Sequence, residues 1–196
     1  MKFYYKNFFD KIISGQSFSF KDNKSMEYIK KAIRTVPDFP KKGILFRDIT
    51  TAIKDPVVMK KMIDEIAAAF KDEKIDYVAG IESRGFIFGM PVAYSLGCGF
   101  VPIRKPHKLP SDTYSVEYDL EYGKDRIEMH KDAIEKGKRV LVIDDLLATG
   151  GTAAAACKLV QKAGVLAGIA FVIELSDLNG REKLPKDVKI LSLAKY

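Results

Sequence analysis

Four apolar runs constrain this chain most: YVAGI (77–81), GFVPIR (99–104), KRVLVI (138–143) and VLAGIAFVIEL (165–175). Each is close to continuous in apolar residues, of strand length, and bounded by glycine or charge. A strand that is apolar at nearly every position is buried on both faces, which is the condition of a parallel sheet covered by helices. The intervening segments supply the helices. Asp55-Pro56 starts one, with Met59, Met62, Ile63, Ile66 and Phe70 at helical spacing and Pro at the first position. ESRGFIFGMPVAYSLG (82–97) predicts a second, stopped by Gly97, and TAAAACKLVQKAG (152–164) a third. KILSLAKY (189–196) completes the sheet, so the expected class is α/β.

The remaining segments are more irregular. Ser25 is placed to cap a helix running to about Arg34, ended by Pro37 and Pro40. DFPKKGILFRD (38–48) reads as a loop with an apolar tip. Residues 105–130 carry polar turns between two alternating stretches, predicting a flexible loop and hairpin. Residues 1–24 are aromatic and basic without a strong period, so we divide the chain into an extension, 1–24, and a domain, 25–196.

Charge bears on partners only through its location. Residues 1–42 hold ten Lys/Arg against four Asp/Glu, while the rest holds twenty-three against twenty-two. The net charge of +7 is therefore that of the N-terminal segment, and a solvated extension explains it without nucleic acid. No apolar run reaches the roughly 18 residues of a membrane span. Lys6, Asp10 and Lys11 interrupt any signal-peptide core, which predicts a cytoplasmic protein. Cys98 and Cys157 lack metal-ligand spacing and read as two reduced, buried thiols.

The chemistry concentrates in VLVIDDLLATGGT (140–152). In open α/β sheets ligands gather at the carboxyl ends of the strands. The adjacent acids Asp144 and Asp145 are poor core residues and suit either a pair of hydroxyl donors or a metal ion. After a hinge at Leu146-Leu147, the stretch Ala148, Thr149, Gly150, Gly151, Thr152 enters a helix. Glycines that turn N–H groups inward, two hydroxyls and a helix N-terminus together form a phosphate cradle. No Lys follows the glycines, so it is not a Walker loop, and it does not match the dinucleotide fingerprint. Diol acceptors beside a monophosphate cradle describe a ribose 5-phosphate.

This stretch resembles the phosphoribosyl-pyrophosphate motif of the type I phosphoribosyltransferases, and its LLATGGT form resembles the members that use adenine. The resemblance continues through PDFPKKGILFRDIT, GIESRGFIFG, VPIRKPHKLP, YSVEYDLEYGKDRIEMHKDAI and GREKL, in order from about Val36 onward. It implies the type I fold: a central, mostly parallel sheet flanked by helices, a flexible catalytic loop or hairpin, and a small N-terminal hood. The activity it implies is transfer of the 5-phosphoribosyl group from phosphoribosyl pyrophosphate to adenine, giving AMP and pyrophosphate in purine salvage.

The same resemblance carries roles onto residues. Asp144 and Asp145 would hold the ribose hydroxyls, and Ala148 to Thr152 the 5-phosphate. Glu82, Ser83, Arg84, Arg104, Lys105 and Lys108 would meet the pyrophosphate. Glu121 would be the acid/base group, with Tyr122 beside it. Phe46 would stack on adenine while the backbone of Leu45 and Arg47 reads its edge. Mg²⁺ would be bridged by substrate and water with no direct protein ligand, and the assembly would be a homodimer. Two rivals remain at this level: the same fold acting on hypoxanthine or xanthine, and a regulator that keeps the site as a sensor and binds nucleic acid. His107 and His130 receive no role.

Overall fold

The structure is a computed structural model, and it describes residues 23–119 and 123–196. Five parallel strands form the central sheet: β3 (Tyr77–Ile81), β4 (Gly99–Ile103), β7 (Arg139–Leu147), β8 (Val165–Glu174) and β9 (Lys189–Lys195), in the order β4-β3-β7-β8-β9. The four apolar runs and KILSLAKY are these strands. The chain steps from β3 outward to β4 and then returns to the far side of β3 as β7. That reversal makes a crevice at the carboxyl ends of β3 and β7, where ligands of such sheets bind.

The two faces are sorted by the alternation of β7. Leu141 and Ile143 join a core with Met62, Phe70 and Phe88 from helices α3 (Pro56–Phe70) and α4 (Gly85–Leu96). Val140 and Val142 turn to the opposite face, against Ala156, Cys157 and Val160 of α5 (Gly151–Ala163). The small side chains of TAAAACK bring α5 close to the sheet. Asp55 caps α3 as its position predicts, accepting from the amides of Val57 (2.9 Å) and Val58 (3.2 Å). Gly97 closes α4 in the left-handed conformation, at φ 68°.

Three expectations change. Helix α1 spans Asn23–Ala32, so Ser25 lies within it rather than capping it, and it ends before Arg34. The prolines do not stop it: Arg34–Pro37 forms β1, which pairs antiparallel with β2 (Leu45–Asp48). The segment around DFPKKGILFRD is thus a hairpin, which, with α1 and the short α2 (Thr50–Ile53), forms the N-terminal hood. Finally, β7 does not end at the acids. Leu146 and Leu147 pair in register with Ile173 and Glu174 of β8, so they are strand and not a hinge.

The predicted loop-hairpin is present as β5 (Thr113–Asp119) and β6 (Lys124–His130), in register from Thr113↔His130 to Asp119↔Lys124. The segment before it is tied to β6 by paired backbone bonds between Arg104 and Glu128 (2.9 and 2.8 Å). Both cysteines are free, and burial pushes the Cys157 thiol up to about 12. Among the described residues no helix is long and apolar enough to cross a membrane.

Candidate active site

The acids near the end of β7 occupy different settings, as successive residues of a strand must. Asp145 is 6% exposed and accepts a hydrogen bond from Arg84 Nε at the start of α4. Asp144 lies under the turn into α4, its Oδ1 accepting from the Asp145 amide at 2.9 Å. The turn comes this close because residue 85 is glycine: a Cβ there would stand 2.7 Å from the Ile143 carbonyl and 3.1 Å from Asp144 Oδ1. Burial first, and the charge of Asp145 second, push the Asp144 carboxyl well above the usual carboxylate range.

Beyond β7, Gly150 sits at φ 80° and leads into α5 with no side chain capping the helix. The first amides of α5 are therefore open to an anion. The loop is seated on a second glycine that the sequence reading left without a role. Gly180, in the 3₁₀ turn Gly180–Lys183, faces Ala148 and Gly150 so closely that neither glycine can carry a Cβ. One built on Gly150 would lie 2.2 Å from the Gly180 carbonyl, and one on Gly180 would lie 2.0 Å from the Ala148 carbonyl.

The turn is itself anchored. Arg181 Nε donates to Glu174 Oε1 (3.0 Å), and its Nη2 to Glu174 Oε2 (2.5 Å) and Ser192 Oγ (3.2 Å). Glu174 is 6% exposed. The Arg181 hydrogen bonds, working against burial, hold its carboxyl below the usual range. The GREKL motif thus acts as the foundation of the loop 148–150.

Glu82 directly follows β3. Its carboxylate gathers the basic cluster: Arg104 Nε at 3.2 Å, the Lys105 amide at 3.0 Å and Lys108 Nζ at 3.6 Å. Burial favours the neutral acid, but the Lys105 amide and Arg104 outweigh it and hold the pKa down. The Glu82–Ser83 peptide is cis, and Ser83 and Arg84 are exposed beside it. The Lys105 side chain turns to the hairpin, to Asp125 and to the Tyr118 hydroxyl (3.1 Å). Asp125 is a second residue that nothing in the sequence singles out. Glu121 and Tyr122 lie outside the described residues.

The hood closes the other side of a cleft of about 510 Å³, lined by Val36, Phe39, Phe46 and Arg47 on one wall and Arg84, Asp145 and Leu146 on the other. Phe39 packs edge-on against Phe46, ring centroids 5.0 Å apart. Of the predicted base-reading residues, Phe46 and Arg47 face this cleft, while the Leu45 side chain is 55% exposed. Asp48 fastens the hood. It accepts from the Thr50 hydroxyl (2.7 Å) and amide (2.9 Å) and from Arg34 Nε (3.1 Å), bonds that lower its pKa to about 2.

An aromatic wall, a buried carboxylate with its arginine, an uncapped helix start and a basic cluster therefore meet around one crevice. Comparison with known proteins agrees. The phosphoribosyl transferase domain family matches residues 50–194. Adenine phosphoribosyltransferase of Thermosynechococcus vestitus is 60% identical over 169 residues, covering 86% of this chain and 99% of that protein. The crystal structure of adenine phosphoribosyltransferase from Thermoanaerobacter pseudethanolicus superposes with a TM-score of 0.83 at 52% identity, covering 87% of this chain and 99% of that one. The Saccharomyces cerevisiae adenine phosphoribosyltransferase, solved with an imino-altritol bisphosphate and adenine, gives 0.82 at 42% identity over 88% and 99% of the chains. With that match over most of its length, on the sheet and crevice described above, the chain belongs to the phosphoribosyltransferase family.

Proposed function

We propose that this protein transfers the 5-phosphoribosyl group of phosphoribosyl pyrophosphate to adenine, releasing pyrophosphate and forming AMP, a purine-salvage reaction. The observation that carries this reading is the cleft itself, which sets Phe46 and Arg47 opposite Asp145 and Arg84 beside the uncapped start of α5. The yeast relative, solved with adenine, has the same fold.

In the reaction a ring nitrogen of adenine bonds to the anomeric carbon as the bond from that carbon to pyrophosphate breaks, its electron pair leaving with pyrophosphate. Positive charge builds on the ribose, as in glycoside cleavage. Asp144 and Asp145 hold the ribose hydroxyls and stabilise that charge. Residues 148–152 hold the 5-phosphate, so that a remote group orients the reacting carbon. Arg84, Arg104 and Lys108 offer cations to the departing pyrophosphate, with Glu82 keeping the last two in register. Glu121, with Tyr122 beside it, exchanges the proton with the base. Mg²⁺, when bound with the substrate, would supply charge neutralisation for the leaving group. Among the described residues no three His, Cys, Asp or Glu side chains are grouped to hold a metal ion.

Incubation with phosphoribosyl pyrophosphate and Mg²⁺, offering adenine, hypoxanthine and guanine in parallel, tests the assignment. AMP is expected from adenine, and its absence overturns the reading. Glu121→Gln is expected to lower turnover by about 10²–10⁴-fold with little change in AMP affinity. An equal loss in both would make Glu121 a binding residue.

The assembly is a homodimer in this reading. Ile87, Met90 and Tyr94 lie on one side of α4 and are 38%, 55% and 90% exposed, an apolar stripe that a second copy would cover. Light scattering is expected to give a dimer, with or without residues 1–24, which we propose are an appendage to the catalytic domain. Tyr94→Glu is expected to give monomers, and a dimer that survives it would place the interface elsewhere. Cys98 and Cys157, both unpaired, accord with a reducing cytoplasm.

A further inference from the structure

Arg47 presents a problem that its place in the cleft wall does not solve. Its Nη1 donates to the Thr35 hydroxyl at 2.5 Å within the hairpin, but its Nε is buried without a hydrogen-bond partner, the one such side-chain nitrogen or oxygen among the described residues. What holds the guanidinium is a ring. The Arg47 Cζ stands 4.0 Å from the centroid of Tyr196, the residue following β9.

Tyr196 is well placed to be a fixed seat. Its amide donates to the Glu174 carbonyl at 2.9 Å, and its own carbonyl accepts from the Ser176 amide at 2.8 Å, so its backbone is an extension of the sheet. Its hydroxyl donates to the Lys30 carbonyl on α1 at 3.0 Å, and the Lys30 ammonium stands 4.7 Å from the ring centroid. One aromatic side chain therefore joins the sheet to two elements of the hood, α1 and β2. The hood's own hydrogen bonds, Asp48 to Arg34 and Thr50, are internal to it and do not set its distance from the sheet.

We infer that Tyr196 is a positioning residue for the base: by seating Arg47 it sets how far Phe46 and the β2 backbone stand from Asp145 across the cleft. This rests on the reading of Phe46 and β2 as the base-binding wall. The ring contact is the part that matters. A cation over an aromatic face is worth about 1 kcal/mol when partly desolvated, which predicts an effect of about fivefold to tenfold on the base alone.

Steady-state kinetics on Tyr196→Phe, Tyr196→Leu and Phe46→Ala separate the possibilities. Tyr196→Leu is expected to raise KM for adenine about fivefold to tenfold, with KM for phosphoribosyl pyrophosphate unchanged. Tyr196→Phe, which keeps the ring, is expected to restore the adenine KM. Combining Tyr196→Leu with Arg47→Met is expected to add little to either single change. An unchanged adenine KM in Tyr196→Leu, an equal rise in both KM values, or full additivity with Arg47→Met overturns the inference. Should Tyr196→Leu not fold, an adenine KM in Arg47→Met equal to that of the unsubstituted protein overturns it instead. Phe46→Ala shows which idea has failed: if its adenine KM is also unchanged, the base-wall reading falls, whereas a raised value confines the failure to Tyr196.

Discussion

Alanine at Gly180 is expected to remove productive binding of phosphoribosyl pyrophosphate while leaving the sheet folded. The added Cβ would lie 2.0 Å from the Ala148 carbonyl oxygen, 2.9 Å from the Gly150 amide nitrogen and 3.0 Å from the Ala148 carbonyl carbon. All three are backbone atoms, so no side chain can swing aside. The turn cannot retreat either, because Arg181 holds it to Glu174 and Ser192. The loop 148–150 is the part that gives, through Gly150, which already sits at positive φ. Overpacking of this kind costs about 1–3 kcal/mol, well short of unfolding a domain. A displacement of about 1 Å in a positioning group, however, can cost about 10²-fold in rate. The measurement is kcat/KM for phosphoribosyl pyrophosphate alongside the Tm, with a fall of about 10²-fold expected in the first and a drop of a few degrees in the second. Wild-type kinetics in Gly180→Ala would mean that the loop is not set by the turn beneath it.

That contact marks the limit of what the chain discloses before it is folded. The five strands are legible because a buried parallel strand must be apolar at almost every position, and VLAGIAFVIEL admits no other reading. The start of α5 is legible because glycines before an Ala-rich run mark a turn into a helix. The tip of β7 is misread because acids interrupt an apolar run, although Leu146 and Leu147 go on pairing with β8. The hood hairpin is missed because four-residue strands that include Pro37 and exposed positions show no period. Gly180 and Gly150 are thirty residues apart in sequence, and their contact exists only once β8 has carried the chain around. Glu82 shows a different limit: only the folded positions of Arg104 and Lys108 bring their cations to its carboxylate. Phe46 is an ordinary core residue by composition, and its place in the cleft was legible only through resemblance.

Asp144→Asn is expected to make the unliganded protein more stable and the liganded one harder to form. Asp144 has its pKa raised above its ordinary value of 3.8, first by burial and then by Asp145. The folded state therefore binds its proton more tightly than the unfolded chain does. Stability is greatest below the unfolded pKa, falls as pH rises between the unfolded and folded values, and stays lower beyond. Asparagine keeps the shape and the acceptor for the Asp145 amide but removes the ionisation. Its Tm at neutral pH is expected to exceed that of the unsubstituted protein, and the decline in Tm above pH 4 to shrink. Binding should move the other way. A hydroxyl bonded to a carboxylate is worth about 1.5–3 kcal/mol, so affinity for phosphoribosyl pyrophosphate and AMP is expected to fall by about 10- to 100-fold, with turnover falling too. Titration calorimetry with AMP and melting curves from pH 4 to 8 check both halves. A less stable variant with unchanged affinity would make Asp144 a structural residue. The expected pair of opposite changes would identify the charge kept beside Asp145 as a cost of the empty site that the sugar's hydroxyls relieve.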